Sequence, residues 1–543
     1  MANLRIYLDS GVGREFSVLE DGHSLAEVLA AHGLPLNTRC GLRGLCRGCE
    51  VELRQGTLSI RGDPVSSPMT VQACQARLTG SATMEIPAHS RVGHRPQISE
   101  TFEIAVPYAH QPLFPFVSGK RDTAFAVDVG TTTVVVLLVD LVNGQVLSRA
   151  GAFNEQIRFG DNVVTRIEAA RRPENLAAMQ RAIVMETIQP LLLQACDRAG
   201  RSVARIAGGA IAGNTTMLHL LTGEDPTPLG IAPFTPRFIA GKQVSAGDVK
   251  LVAAGLAPET PLQLLPGFSA YVGADITAGV FATGMMFDPA PSLLVDIGTN
   301  GEIVLQSAGK LTACATAAGP AFEGCGLNCG TRAREGAVGG LRLTLSPFRL
   351  QTETIGNIPL ARASGLCGSA YVDFLATARS CGLFGPTGRI DATAWEAIPA
   401  QNRFTDDGER AVRLTDASGA GELRVSEVDV ALLLQAKAAI GAGIEILLEN
   451  AGIRAADLGR VYLAGGFGMH LNVDHAIAIG LLPGIREEQV RVVGNTSLAG
   501  ALLALVDRTT LEEMEDLRTQ VEVIELNLAE GFEDRYVEHL MLP

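Results

Sequence analysis

The pentapeptide Val127-Asp128-Val129-Gly130-Thr131 returns, with one aliphatic exchange, as Val295-Asp296-Ile297-Gly298-Thr299, 168 residues further on. Each copy closes an apolar run and leads into a second one, Val134 to Val139 and Glu302 to Leu305, followed by a turn at Asn143-Gly144 and at Ala308-Gly309. A companion pair keeps the same order: Ile211-Ala-Gly213-Asn214-Thr215-Thr216 in the first half, Leu463-Ala-Gly465-Gly466-Phe467-Gly468 in the second. Duplication of one α/β unit is the economical explanation, so most of the chain is expected to fold as two similar lobes.

The pattern also suits a phosphate. A strand that ends in Asp would put a carboxylate at a sheet edge, and the Gly-Thr turn after it would expose backbone N–H groups and hydroxyls. Two such hairpins facing each other would clamp the β- and γ-phosphates of ATP and supply the positioning that phosphoryl transfer depends on. Asp128 and Asp296 are then the candidate catalytic carboxylates, one of them holding Mg²⁺ through water. Gly130, Thr131, Thr132, Gly298, Thr299 and Asn300 are candidate ATP contacts. Gly465 and Gly466, in a third glycine-rich turn, would admit the adenosine or α-phosphate, because a bare backbone can approach closely. Glu323 sits where a carboxylate could organise Mg²⁺ or face ATP, with helix capping as the alternative. No G-x-x-x-x-G-K-[ST] occurs, and the run Gly324 to Gly330 lacks the spacing of a dinucleotide site, which argues against a flavin or nicotinamide reductase.

A second signal lies near the start. Cys40, Cys46, Cys49 and Cys74 are spaced C-x5-C-x2-C-x24-C, and Gly41, Gly44 and Gly48 let the first three fold inward. This is close to the plant-type [2Fe–2S] pattern with one extra residue in the first gap, and it resembles a ferredoxin. A zinc site, or four buried unligated cysteines, are the alternatives. Residues 3 to 8 and 15 to 19 alternate like paired strands, and Ser24 with Glu27 forms a capping box opening a helix that stops at Gly33, the order of a small α+β β-grasp domain.

Between the two signals, Pro87 to Lys120 holds five prolines and one strand-like run, Thr101 to Val106. It reads as an extended tether or as a plain domain boundary. The expected division is 1–88 for the cluster domain, 89–122 for the linker, 123–288 for the first lobe and 289–543 for the second. With 58 acidic against 44 basic residues and a net charge of −14, a nucleic-acid partner is not expected. Apolar runs such as Ile440 to Leu448 fall well short of the ~18 residues of a membrane span, and the N-terminus has no signal-like pattern, so a cytoplasmic protein is expected.

The duplicated blocks resemble the superfamily of actin, sugar kinases and heat-shock ATPase chaperones. The resemblance implies a duplicated two-lobe actin-like (ribonuclease H-like) ATPase core. With a ferredoxin module ahead of it, and with Gly213 to Leu220, Leu229 to Phe234, Gly319 to Gly324, Gly365 to Ser369 and Leu463 to Gly468, the whole chain resembles the reductive activators of corrinoid proteins. That resemblance implies a [2Fe–2S] cluster on the four N-terminal cysteines, with ATP and Mg²⁺ in the second part. It implies return of one electron to Co(II) of a methyltransferase's corrinoid protein, an upstream low-potential electron donor, and a homodimer as one assembly. Because the linker meets the first phosphate motif directly, no room is expected for the extra domain of longer members. A metabolite kinase with a redox-sensing ferredoxin module, and activation of another low-potential enzyme, are the competing functions. Cys314, Cys325, Cys329 and Cys367 read as small packing residues, His219 and His470 as structural histidines, and the helix bearing Asp429 and Lys437 as lobe packing or a border of the adenine pocket.

Overall fold

The computed structural model describes every residue except 1, 9–11, 19–21, 35, 37, 39–41, 43, 45–48, 88–89, 91–101, 103–109, 253–254, 407 and 415–421. Cys40 and Cys46 therefore lie outside the described residues, as does all of the strand-like run at 101–106 except Phe102.

The N-terminal part is a five-stranded mixed sheet with the helix Leu25–Ala31 on it. Strand Ala2–Leu8 sits between Val12–Val18, antiparallel, and Ala82–Ile86, parallel, the β-grasp arrangement. Alternation decides the faces: Ala2, Leu4 and Ile6 go into the core and Asn3 and Arg5 go out. The capping box forms, with Ser24 accepting from the Glu27 N–H and Glu27 accepting from the Ser24 N–H at 2.8 Å.

Two six-stranded sheets follow. In the first, the antiparallel run Thr123–Val129, Thr133–Asp140 and Val146–Phe153 is extended by Ile206–Gly213 and Pro261–Leu264, both in parallel pairings. In the second, Ser292–Ile297, Gly301–Ser307 and Lys310–Thr316 are extended by Arg460–Ala464 and Val490–Gly494 in the same order and sense. The duplication reaches the register: Asp128 pairs across to Ala212, and Asp296 pairs across to Ala464. The glycine that follows is sterically required in both copies. A Cβ on Gly213 would lie 2.7 Å from the Val129 carbonyl oxygen, and one on Gly465 would lie 2.7 Å from that of Ile297.

Both Asp strands are the third of six, so the carboxylates stand at the C-terminal ends of interior strands. The expectation of a sheet-edge position is corrected. Interior strands are apolar along their length, here Ala124 to Val127 and Leu293 to Val295, and ladder pairing on both sides fixes the end residue more tightly than an edge would.

Two helices run between the sheets. Ala274–Thr283 sends Ala274, Ala278 and Phe281 into the first core and Ile276 and Val280 into a cluster with Leu294, Val304 and Tyr462. Thr496–Val506 is buried at every residue, as a helix apolar all round must be, and its Leu498 to Val506 face completes the first lobe's core although it comes late in the chain. Gly500 lies against Ala278 too closely for any side chain.

Two further expectations change. The second half of the linker is docked rather than extended: Gln111 and Leu113 donate backbone hydrogen bonds, both 2.9 Å, to the Val506 and Leu505 carbonyls, and Phe114 is buried against Gly208. Burial of that phenyl ring outweighs the stiffness of the flanking prolines. The helix Glu427–Asn450 is also long and apolar enough to cross a membrane, which the short apolar runs did not suggest. Its apolar window is 78% buried in the second lobe, so its hydrophobicity is that of a core helix.

Candidate functional site

A cleft of about 200 Å³ opens between the lobes. All eleven residues read from the sequence as catalytic or ATP-contacting line it: Asp128, Gly130, Thr131, Thr132, Asp296, Gly298, Thr299, Asn300, Glu323, Gly465 and Gly466. The first turn is closed by Gly130 N–H donating to the Thr133 carbonyl and the second by Gly298 N–H donating to that of Asn300, both 2.9 Å. Fully buried Arg166 steadies the first turn from behind, donating to the carbonyls of Thr131 at 2.5 Å and Gly160 at 3.0 Å. The Asn154 amide donates to the Gly130 carbonyl, and the Asn214 amide to the Thr131 hydroxyl, both at 2.9 Å.

The two turns meet. The Thr132 and Thr299 hydroxyl oxygens are 3.2 Å apart, and each hydroxyl donates at 2.7 Å to a different oxygen of Glu323. Glu323 is thus neither a helix cap nor a distant carboxylate. It ties one lobe's turn to the other's.

The floor is acidic. Asp128 accepts from the Ser497 hydroxyl at 2.7 Å and the Asn495 amide at 2.8 Å. Burial still raises its pKa, and those two donors oppose the rise. Asp296 is pushed up to about 7 by burial and then by Asp128. Asp275, two residues into the first crossing helix, is pushed up to about 8 by burial and then by Asp296 and Asp128. Glu302 is raised by burial, then by Asp275 and Asp296. A pseudo-symmetry lies behind this. Ser497 and Asp275 occupy the same position after the capping residues, Asn495 and Gly273, of the two crossing helices. Asp128 meets a hydroxyl there, whereas Asp296 is repelled by a carboxylate.

Such crowding fits a divalent cation, because an added positive charge would relieve every shift at once. Among the described residues no three acidic, histidine or cysteine side chains are close enough to hold an ion directly, so the fit is to a cation that keeps water between itself and the carboxylates. Asp275, Glu302, Arg332, Asn495 and Ser497 were missed in the sequence; all five line the cleft. Their signal would have been a polar residue breaking a run that is otherwise apolar, as in Gly273-Ala-Asp-Ile and Asn495-Thr-Ser-Leu.

His470 also lines the cleft, and burial lowers its pKa. His219 is structural: Nδ1 pairs with the Thr215 carbonyl at 2.7 Å, Nε2 accepts from the Arg237 N–H at 2.9 Å, and the ring stacks on Phe238. The Ser426 hydroxyl caps the helix by accepting from the Asp429 N–H at 3.1 Å, the Asp429 carboxylate accepts from the Asn328 N–H at 2.7 Å, and Lys437 donates to the Met541 carbonyl at 2.8 Å. Both Asp429 and Lys437 are engaged in lobe packing. Cys314, Cys325 and Cys367 are buried, and Cys329 accepts from the Arg424 N–H.

In the N-terminal domain, Cys49 and Cys74 are buried in one core. The Ala73 N–H donates to the Cys49 carbonyl at 2.9 Å. The Gln75 amide donates to the Leu42 carbonyl at 2.8 Å and lies 3.6 Å from Cys74 Sγ. Leu42 and Cys49 are therefore both drawn against the Cys74 turn.

A β-grasp domain with clustered cysteines, followed by two duplicated lobes around an acidic cleft with paired Gly-Thr turns, defines a ferredoxin-fused ATPase of the actin, sugar-kinase and heat-shock type. Residues 8–79 match the model of the 2Fe-2S iron–sulfur cluster binding domain, 123–288 that of the RACo middle region, and 290–543 that of the C-terminal domain of RACo, the ASKHA domain. The corrinoid activation enzyme RamQ of Eubacterium limosum is 31% identical over 89% of this chain and 90% of its own. The reductase of the methylated amine-specific corrinoid protein of Methanosarcina barkeri is 24% identical over 76% and 75%. The solved structure of a reductive activator for corrinoid, iron–sulfur protein superposes with a TM-score of 0.71 at 29% identity, covering 100% of this chain and 98% of that one. The chain belongs to the RACo family of corrinoid activation enzymes.

Proposed function

We propose that the chain reactivates a methyltransferase's corrinoid protein, using ATP to drive one-electron reduction of Co(II) to Co(I). The observation that carries the reading is the closure of the two turns on one another across an acidic cleft, Thr132 to Thr299 at 3.2 Å, in a chain whose first domain buries Cys49 and Cys74 in one core. Cys40, Cys46, Cys49 and Cys74 are the proposed ligands of the cluster. When bound, the [2Fe–2S] cluster supplies one electron at a time, and the electron it loses appears on the partner's cobalt.

The cobalt couple is very low, and each ~59 mV of uphill one-electron transfer costs about tenfold in equilibrium constant. The protein must therefore change its partner's state, and it can do so only through a ligand with different affinities for two conformations. The cleft offers such a device. ATP between the turns would part Thr132 and Thr299, whose backbone N–H groups and hydroxyls would then face the phosphates. Asp128 and Asp296 would hold Mg²⁺ through water, and Gly465 and Gly466 would admit the adenosine side. Rearrangement of the lobes would be felt by a docked corrinoid protein. An upstream low-potential donor and a cytoplasmic setting complete the proposal, and a homodimer is the assembly to look for by sedimentation.

The test is anaerobic. Dithionite-reduced protein is mixed with a Co(II) corrinoid protein with and without MgATP, the Co(I) absorbance is followed, and ADP release is measured alongside. Co(I) should accumulate only with ATP. Complete reduction without nucleotide would refute the coupling, and phosphorylation of a small metabolite would point to the kinase reading.

A further inference from the structure

We propose that Arg332 reads the terminal phosphate of the nucleoside triphosphate in this cleft, and that Glu323 holds it in waiting until the nucleotide separates the two turns. The inference rests on the nucleotide reading above and goes beyond it by naming a residue and a specificity. Among the described residues lining the cleft, Arg332 has the one cationic side chain, against Asp128, Asp275, Asp296, Glu302 and Glu323. Arg166, the other arginine nearby, is committed to backbone and to Gln156.

The guanidinium is held by two long ion pairs rather than by close hydrogen bonds. Its Nε is 3.6 Å from Glu323 Oε2 and its Nη2 is 3.7 Å from Asp161 Oδ1, both beyond hydrogen-bond reach. Nε and Nη2 are buried and have no hydrogen-bond acceptor. These two N–H groups form the side-on fork of arginine, the edge that meets two oxygens of a phosphate at once. The side chain is 12% exposed and lies over the Phe153 ring, with its carbon 5.8 Å from the centroid, so its plane is restrained.

Glu323 connects this arginine to both turns, since Thr132 and Thr299 donate to it while Arg332 stands beside Oε2. A phosphate between the turns would compete for those two hydroxyls. Glu323 would be displaced, and the fork beside it would gain a doubly negative acceptor within hydrogen-bond distance in place of a carboxylate held only as a long ion pair. A diphosphate, which ends one phosphate short, would leave the fork without its acceptor. Arg332 therefore separates triphosphate from diphosphate, and through Glu323 it links that distinction to closure of the lobes.

The test uses the full-length, cluster-loaded protein and measures Kd for MgATP and MgADP in wild type, Arg332→Gln and Arg332→Lys. Loss of a charge-assisted, two-pronged contact should weaken ATP binding by roughly 10- to 100-fold while ADP binding stays within about threefold. Lys, a point charge without the fork, should restore only part of the ATP affinity. The visible bands of the cluster and retained ADP affinity show that the variants are folded. Unchanged ATP affinity in the Gln variant, an equal fall for ATP and ADP, or full restoration by Lys would each overturn the assignment. If wild type bound neither nucleotide, the nucleotide reading itself would fall and this inference with it.

Discussion

Replacing Asp296 by Asn should make the metal-free second lobe more stable at pH 8 while abolishing its response to MgATP. In the folded chain the Asp296 carboxyl is pushed from 3.8 up to about 7 by burial and then by Asp128. A carboxyl raised in this way contributes stability that is fully present below the unfolded value and is lost as pH rises through the folded one, because the native state holds the proton longer. The window is about three pH units at about 1.4 kcal/mol each, so the cost at pH 8 has a ceiling of about 4 kcal/mol. Relaxation and water entry bring the expectation to roughly 1–3 kcal/mol. The amide carries no charge and escapes it. Trp395, the sole tryptophan, is buried in the core of the second lobe and reports the unfolding of that lobe. Urea titrations followed by its fluorescence, at pH 5 and pH 8 in chelator, should show wild type losing stability between the two and Asp296→Asn losing less. Adding MgATP at pH 8 should then stabilise wild type by mass action and leave the variant unmoved. Equal pH slopes, or a variant weaker than wild type at pH 8 without metal, would refute the picture of Asp296 as a strained anion awaiting a cation.

Cys74→Ser should give protein that lacks the visible bands and reduced-state EPR signal of a [2Fe–2S] cluster and no longer reduces the corrinoid partner, yet retains ADP release, because the cleft lies in other domains. Gly465→Ala, whose Cβ would come 2.5 Å from Asp296 Oδ1 at a φ of +88°, should cost about 1–3 kcal/mol in the same fluorescence titration and lower ATP turnover at least about tenfold. Thr299→Val removes one of the two hydroxyls that Glu323 accepts, and turnover should fall about tenfold with the thermal midpoint nearly unchanged, as calorimetry can check.

The legible part of this molecule is the part written twice. Val-Asp-[Val/Ile]-Gly-Thr, with its companion glycine turn, announces two strands and the turns that follow them because a short motif repeated in the same order is hard to produce by chance, and all eleven residues drawn from it and its surroundings line one cleft. The capping box of Ser24 and Glu27 was legible for a different reason, since it is satisfied entirely within four residues. What stayed hidden depends on contacts between residues far apart in the chain. Docking of 110–113 needs the Leu505 and Val506 carbonyls, and the place of Asp128 needs Asn495 and Ser497. The most informative hidden feature is where the duplication breaks. At the same position after the cap of each crossing helix one copy has Ser497 and the other Asp275. The first donates to Asp128 and opposes the rise that burial imposes on it, and the second is a carboxylate that Asp296 repels, so the two halves of one duplicated site differ in how their carboxylates are compensated. Asp128 has two protein donors to set against its burial. On the Asp296 side, where the shift reaches about 7, a cation would have more to relieve, and there ligand binding can do the most to change the relation between the lobes.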